Sequence, residues 1–291
     1  MKRFGLCILA LSSLIFLISF QSSAQNEAMV KHSMRCQGLD REYFLYVPET
    51  LAEGAPLVVM LHGYGGSAEN YRPEMLAVAQ KHHFALCVPQ GTKAPKGKTG
   101  WNVRYPKQEG MTVDDVKFVC RLAKKLQKEY GLSKLNTFLT GMSNGGEMCY
   151  LMAYGHPEFW GAIASVAGLT MEWLMKEQSP KGPVPFFEIH GTQDHTSEWG
   201  GDPENNGGWG AYTSVPVAVG AIVAANKCTY EETSELPLLD SEKPSRQVIL
   251  HHYLGGTEVR LYEVVGGGHS WHLDDIDTLE EIWSFFESHM R

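Results

Sequence analysis

The chain alternates short apolar runs with stretches of helical spacing. Positions 41–47 (REYFLYV) read as a strand, and the continuous apolar run at 56–61 (PLVVML) reads as a strand covered on both faces. A helical stretch near 68–82 follows, then a second buried-type run at 84–88. The clearest helix lies over 112–130, where Val116, Val119, Leu122, Ala123, Leu126 and Tyr130 recur at helical spacing and make one apolar stripe. Thr112 is placed to cap it, Asp114 and Asp115 put negative charge in the first turn, and Gly131 is placed to end it. Beyond it the pattern predicts a strand over 135–141, a helix over 145–155 stopped before Pro157, and buried strands over 161–168 and 184–191. RQVILHHYL and TEVRLYEVV flank Gly255-Gly256 and predict a hairpin. Ile276, Leu279, Ile282, Phe286 and Met290 predict a last amphipathic helix. Strands alternating with helices place the chain in the α/β class, with a mostly parallel central sheet and helices on both faces.

The start of the chain belongs to another pattern. Lys2 and Arg3 precede an apolar run, Cys7 to Phe20, broken only by serines, and the small residues of QSSAQ follow. Residues 1–24 therefore read as a signal peptide cut after Ala24, which predicts a secreted or periplasmic protein with no stable membrane insertion. The remainder, 25–291, shows no linker, repeat or low-complexity block and is expected to form one domain. Its net charge falls from −8 to −10 once Lys2 and Arg3 are gone, a balance that disfavours nucleic acid as a partner. Five cysteines remain: Cys36, Cys87, Cys120, Cys149 and Cys228. The odd number implies a free thiol or an intermolecular bridge. Cys87, Cys120 and Cys149 fall in predicted elements and read as buried thiols, whereas Cys36 and Cys228 lie in loop-like surroundings and are open to pairing.

The candidate chemistry begins at TGMSNGGEM (140–148), where Ser143 sits between Gly141 and Gly145. Gly-x-Ser-x-Gly alone is a weak pattern, but here it joins a predicted strand to a predicted helix. That sharp turn exposes a serine hydroxyl and needs glycines two residues to either side to avoid clashes. MLHGYGGS (60–67) follows another buried strand and has the form of a loop that offers a backbone N–H to an oxyanion. Asn144, directly after the serine, is the first expected oxyanion donor, and Tyr64 the second, with Gly65 close behind. FFEIHGTQD (186–194) places Asp194, and VVGGGHSW (264–271) places His269, each just past a strand end. In the order Ser143, Asp194, His269, the three would act as nucleophile, acid and base. Asp202 is a reserve for the acid, and Asp274 and Asp275 are too near His269 in sequence. His62 reads as a loop-ordering residue. His190, His195 and His272 raise a metal reading, but no metal-ligand spacing supports it.

Together YVP near 46–48, HGYGGS, GWN (100–102), VDDV (113–116), GMSNGG, HGTQD and GGGHSW resemble the secreted serine esterases that include polyhydroxybutyrate-depolymerase-like proteins and the feruloyl and acetyl-xylan esterases of carbohydrate esterase family one. The resemblance runs from about 36 to 288. It implies an α/β-hydrolase fold, the roles given above to Ser143, Asp194 and His269, and ester hydrolysis without metal or organic cofactor. The chain departs from the family in the long Gly-, Asn- and Trp-rich stretch after Asp194. Trp199 and Trp209 in that stretch, Trp271 beside His269, and Trp101 in GWN are candidate substrate-binding aromatics. Taken together they favour a feruloyl ester of a xylan-type polysaccharide. Acetyl-xylan or short-chain ester hydrolysis, peptide hydrolysis, and carbohydrate binding without turnover are the alternatives.

Overall fold

The run at 56–61 forms a strand, Leu57–Leu61, whose side chains divide between two apolar layers. Leu57, Val59 and Leu61 enter one layer, and Val58 and Met60 enter the other. The period of two along an extended backbone produces this division, and it accounts for a run with no polar position. The computed structural model describes residues 29–70, 73–95, 97–240 and 246–291, so the expected signal peptide, 1–24, lies outside the described residues.

In chain order the strands are β1 Val30–Cys36, β2 Leu39–Tyr46, β3 Leu57–Leu61, β4 Ala85–Pro89, β5 Thr92–Lys93, β6 Thr99–Gly100, β7 Thr137–Met142, β8 Ile163–Val166, β9 Thr170–Met171, β10 Phe186–Gly191, β11 Tyr212–Thr213, β12 Tyr230–Leu236, β13 Gln247–Leu254 and β14 Val259–Val265. The α-helices are α1 Pro73–His82, α2 Asp115–Tyr130, α3 Asn144–Gly155, α4 Glu172–Glu177, α5 Val215–Ala225 and α6 Thr278–Ser288. Ten strands join one sheet in the order β1-β2-β4-β3-β7-β8-β10-β14-β13-β12. The six from β4 to β14 run parallel, and an antiparallel pair extends each side. Helices α2, α3 and α5 pack on one face, α1 and α6 on the other. No helix among the described residues is long and apolar enough to cross a membrane.

The structure departs from the sequence expectations at the α2 cap, in several elements and at the cysteines. Helix α2 is capped by Asp114, not Thr112: the Asp114 carboxylate accepts the Lys117 N–H at 2.9 Å. A carboxylate at the cap interacts with the helix dipole more strongly than a hydroxyl does, and Asp114 has the extended backbone a cap requires. Strands β1 and β12 and helix α5 are the longest of the elements that the pattern did not indicate. β12 is exposed along nearly its whole length, so no alternation marks it. α5, VPVAVGAIVAA, is apolar on most sides and gives no helical stripe. Lastly, Cys36 ends β1 and Cys228 precedes β12, at opposite edges of the sheet, and all five described cysteines are free. The Cys228 thiol instead donates to the Thr257 carbonyl.

Candidate active site

Four loops that leave adjacent parallel strands meet at one edge of the sheet. They follow β3, β7, β10 and β14, which neighbour one another with only β8 between β7 and β10. At the end of β7 the chain turns directly into α3, and the turn residue is Ser143, with φ 56° and ψ −121°. Such a positive φ is strained for a residue with a side chain, and the surroundings enforce it. The Ser143 N–H is held by the Val166 carbonyl of β8 at 2.8 Å, and the Ser143 carbonyl accepts from Glu147 N–H at 2.9 Å. The two flanking glycines are needed for space. A Cβ on Gly141 would lie 2.6 Å from the Gly145 carbonyl, and one on Gly145 would overlap the Leu61 carbonyl oxygen of β3. The expectation that side chains two residues either side of the serine would clash therefore has named partners.

Asp194 follows β10 in a tight turn and is buried. Its Oδ1 accepts the backbone N–H groups of Thr196 and Ser197 at 2.7 and 2.8 Å, which fixes the carboxylate and leaves Oδ2 to meet His269 Nδ1 at 2.7 Å. Burial on its own pushes the Asp194 carboxyl upward, but the His269 hydrogen bond and charge, with the two N–H donors, outweigh it and hold the carboxyl below its ordinary range. The hydrogen bond from His269 Nδ1–H to the carboxylate leaves Nε2 as the nitrogen able to accept a proton. His269 and Ser143 line the same cavity, of about 700 Å³, together with Tyr64, Gly97, Lys98, Pro106, Lys107, Glu109, Thr196 and Trp209. Ser143 Oγ and His269 do not form a hydrogen bond in this structure; contacts of this kind commonly close when substrate enters.

The expected oxyanion donors divide. Asn144 N–H stands at the start of α3, where the helix dipole is positive, and neither it nor the Tyr64 N–H has a protein acceptor among the described residues. Gly65 is a correction: its N–H is engaged by the Thr99 carbonyl at 2.7 Å and so is not available to substrate. That bond is one of three that fasten the 62–66 loop to the 97–100 segment. Thr99 Oγ1 donates to the Gly66 carbonyl, and Lys98 N–H donates to the Tyr64 hydroxyl. Gly63 touches Ser143 directly, since a Cβ there would lie 3.4 Å from the serine Cβ. His62 orders this loop, as expected: its ring contacts the Gly63 carbonyl through Nδ1, and its Nε2 accepts the Gly91 N–H.

Of the four candidate aromatics only Trp209 lines the cavity, and its ring packs against Tyr64 and Tyr105 with Lys107 Nζ 3.5 Å from its centroid. Trp101 is fully buried and supports the site from beneath. Its N–H and carbonyl clamp the Asn144 side chain at 2.7 and 3.1 Å, and its indole N–H donates to the His62 carbonyl, so it ties the two oxyanion segments together. Trp199 lies behind Asp194 with its ring edge against His190. Trp271 is buried and lines a separate cavity of about 220 Å³ on the far side of the 62–66 loop. Adjacency in sequence to His269 misled the placement of Trp271, because the chain turns inward directly after the imidazole. The reserve acid Asp202 orders its own loop by accepting from Asn206 and Gly207 N–H. Asp275 contacts His272, not His269. His190, His195 and His272 do not gather into a metal-binding group among the described residues.

Sequence reading missed the support from Arg41 and Asp115. Their buried pair, 2.7 Å, is joined by Asn102 N–H donating to Asp115 Oδ2, which fixes the GWN segment carrying Trp101. The acid at 115, read as first-turn charge, was the available signal. Lys98, Pro106, Lys107 and Glu109 on the cavity wall carried no motif at all.

Known proteins similar to this chain include esterases. The sequence pattern of the family described as Esterase PHB depolymerase matches residues 41–174. A feruloyl esterase B from Neurospora crassa is 28% identical over 171 residues, 56% of this chain and 56% of its own length. A bifunctional acetylxylan esterase/xylanase from Neocallimastix patriciarum is 27% identical over 163 residues, 55% of this chain and 22% of its own. The match thus spans between about a fifth and somewhat over half of the length of these relatives. Among solved structures, an acetyl xylan esterase from Aspergillus awamori superposes with a TM-score of 0.61 over 89% of this chain and 99% of its own, at 15% identity, which establishes the α/β-hydrolase fold. Residues 41–174, which carry Ser143, Asn144 and Tyr64, are the part of the chain that resembles the Esterase PHB depolymerase family.

Proposed function

We propose that the chain is an exported serine-dependent carboxylic ester hydrolase, and that its substrate is a hydroxycinnamoyl ester, of the feruloyl type, on a xylan-type polysaccharide. The observation that carries the chemistry is the hydrogen bond from His269 to a carboxylate held by two backbone N–H groups, on the same cavity as a serine in a strained turn at a helix start. In this reading Ser143 Oγ attacks the ester carbonyl as His269 Nε2 takes its proton. The Asn144 and Tyr64 N–H groups meet the oxyanion, a contact worth about 3–4 kcal/mol per donor in a comparable site. His269 returns the proton to the leaving alcohol, and a water activated in the same way releases the acid. Tyr64, Pro106 and Trp209 offer the cavity an apolar and aromatic wall suited to a phenolic ring, which supports a hydroxycinnamoyl group over acetate.

The test is a panel of methyl ferulate, acetylated xylan, short p-nitrophenyl esters and a peptide amide, run on the wild type and on Ser143→Ala. Hydrolysis with highest kcat/KM on methyl ferulate, reduced on the order of a millionfold by the substitution, is expected. A preference for acetylated xylan would transfer the assignment to that substrate. Glycan binding without turnover of any ester would make the chain a binding protein.

A further inference from the structure

Asp194 has a titratable neighbour that the chemistry above does not use. His190, the penultimate residue of β10, is fully buried. Its Nδ1 lies 2.9 Å from Glu188 Oε1, its Nε2 lies 2.7 Å from the Ser197 carbonyl oxygen, and Asp194 Oδ2 is 3.7 Å from the same Nε2. A carbonyl oxygen only accepts, so Nε2 must carry a proton. At Nδ1 the partner is a carboxyl group, and one proton must occupy that contact too. Burial pushes the Glu188 carboxyl up as well, but imidazole starts as the stronger base of the two by about 2 pH units, and the proton is assigned to the ring. A cation there also gains from both carboxylates, whereas a neutral ring would gain little from Asp194. Glu188 further accepts the Gly168 N–H at 3.3 Å and lies beside the Ser165 and Tyr150 side chains. The remaining groups facing His190 are the Trp199 ring edge and His272, which is itself beside Asp275 and Arg246. Burial by itself disfavours the charged ring; Glu188, the Ser197 carbonyl and Asp194 together outweigh it, so proton affinity is raised.

The ring's second contact has a mechanical consequence. Ser197 N–H is one of the two donors that hold Asp194 Oδ1, and the carbonyl of that same residue is held by His190. The 194–197 turn is thereby fastened to β10 at its far end. We propose that His190 is an imidazolium, paired with Glu188, and that it is the positioning residue that clamps the 194–197 turn so that Asp194 Oδ2 stays aimed at His269. The proposal rests on the reading of Asp194 and His269 as acid and base.

Nitrogen-15 NMR of the histidine-labelled full chain tests it, with His190 assigned by its disappearance in His190→Gln. The ring of His190 should keep both protons above the pH at which an ordinary histidine loses one. In His190→Gln the low-field resonance of the His269 Nδ1 proton should broaden or vanish. Turnover of p-nitrophenyl acetate should fall on the order of tenfold to a hundredfold in kcat with KM little changed, as expected for a misaimed group. Glu188→Gln is the conservative partner. Its carboxamide can donate to a neutral ring that still holds Ser197, so kcat should fall less. The acid limb of the rate profile should nonetheless move to higher pH, because Asp194 then has no adjacent cation and stabilises the protonated form of His269 more strongly. An unprotonated ring nitrogen on His190 near neutral pH would overturn the charge assignment. Unchanged kcat and an unchanged His269 resonance in a cooperatively folding His190→Gln would overturn the positioning role. Should that variant not fold, the pH profile of Glu188→Gln decides. If no ester is hydrolysed by the wild type, the catalytic reading fails, while the two resonances still decide the pair and the clamp.

Discussion

Asp194 shows how much one side chain depends on its backbone neighbours. Two N–H groups hold one carboxylate oxygen, and the other is presented to His269. Its carboxyl lies below the ordinary range, so its negative charge is fully present above that range and is lost only when the pH falls well beneath it. A base must be neutral to accept the Ser143 proton, so activity should rise with pH over the range where histidine side chains lose theirs. A rate profile that falls steadily through neutral pH would contradict the assignment. Asp194→Asn removes the charge while keeping the shape, and an analogous change in another serine hydrolase costs about ten-thousandfold in kcat. A loss of that order, measured on p-nitrophenyl acetate with the fold intact by circular dichroism, is expected here.

At the scale of elements, the site is a junction of loops fastened to buried segments. α3 can start at Ser143 only because Gly145 lets the helix approach the carbonyl of β3. The GWN segment reaches Asn144 only because Asp115, in the first turn of α2, holds Asn102 while paired with Arg41. Both partners of that ion pair are almost wholly buried, and the Arg41 guanidinium also lies over the Phe118 ring. Burial alone pushes the Asp115 carboxyl up, and it ends above its ordinary value although Arg41 and the Asn102 N–H oppose that. Removing one partner strands the other in the interior, a change that typically costs about 3–5 kcal/mol. Asp115→Ala should lower stability by that order in urea unfolding, and should impair turnover further by releasing Trp101 from the Asn144 side chain. A variant as stable as the wild type would show that the pair is dispensable.

Across the whole molecule, the last hairpin and the C-terminal helix are joined by one carboxylate. Glu258, at the start of β14, receives His252 of β13, Arg260 of β14 and His289 just past α6. Burial alone would raise its pKa, but the His289 hydrogen bond and the Arg260 charge pull it down to about 2. A depressed carboxyl stabilises the fold above its unfolded value and loses that contribution as the pH falls through the folded value. Because Glu258 is only partly screened from water, the stabilisation at neutral pH that accompanies the shift from 4.5 to about 2 is on the order of 1 kcal/mol. Glu258→Gln should therefore be less stable than the wild type at neutral pH, with the gap closing as acid approaches pH 2. A gap independent of pH in urea titrations would assign the effect to packing.

The sequence by itself determined the α/β architecture and pointed to Ser143, Asp194 and His269 as one candidate site. Both are written in local pattern: apolar runs that end in glycine-rich loops, and side chains placed just past strand ends. It also supplied Asn144, because that position is defined relative to the serine in sequence. The tertiary structure decided what depends on which groups pair across distance. Gly65 lost its expected role because Thr99, 34 positions on, takes its N–H. Trp101 proved to be buried support, and Trp271 lines a cavity other than that of Ser143 and His269, because an indole's surroundings are set by segments far along the chain. The edge strands β1 and β12 were invisible because a strand exposed to water carries no apolar alternation; only hydrogen bonding to β2 and β13 makes them strands. Local chemistry is legible where backbone geometry demands particular residues. Partnership is not, because any of several donors would satisfy the same acceptor until folding brings one of them within reach.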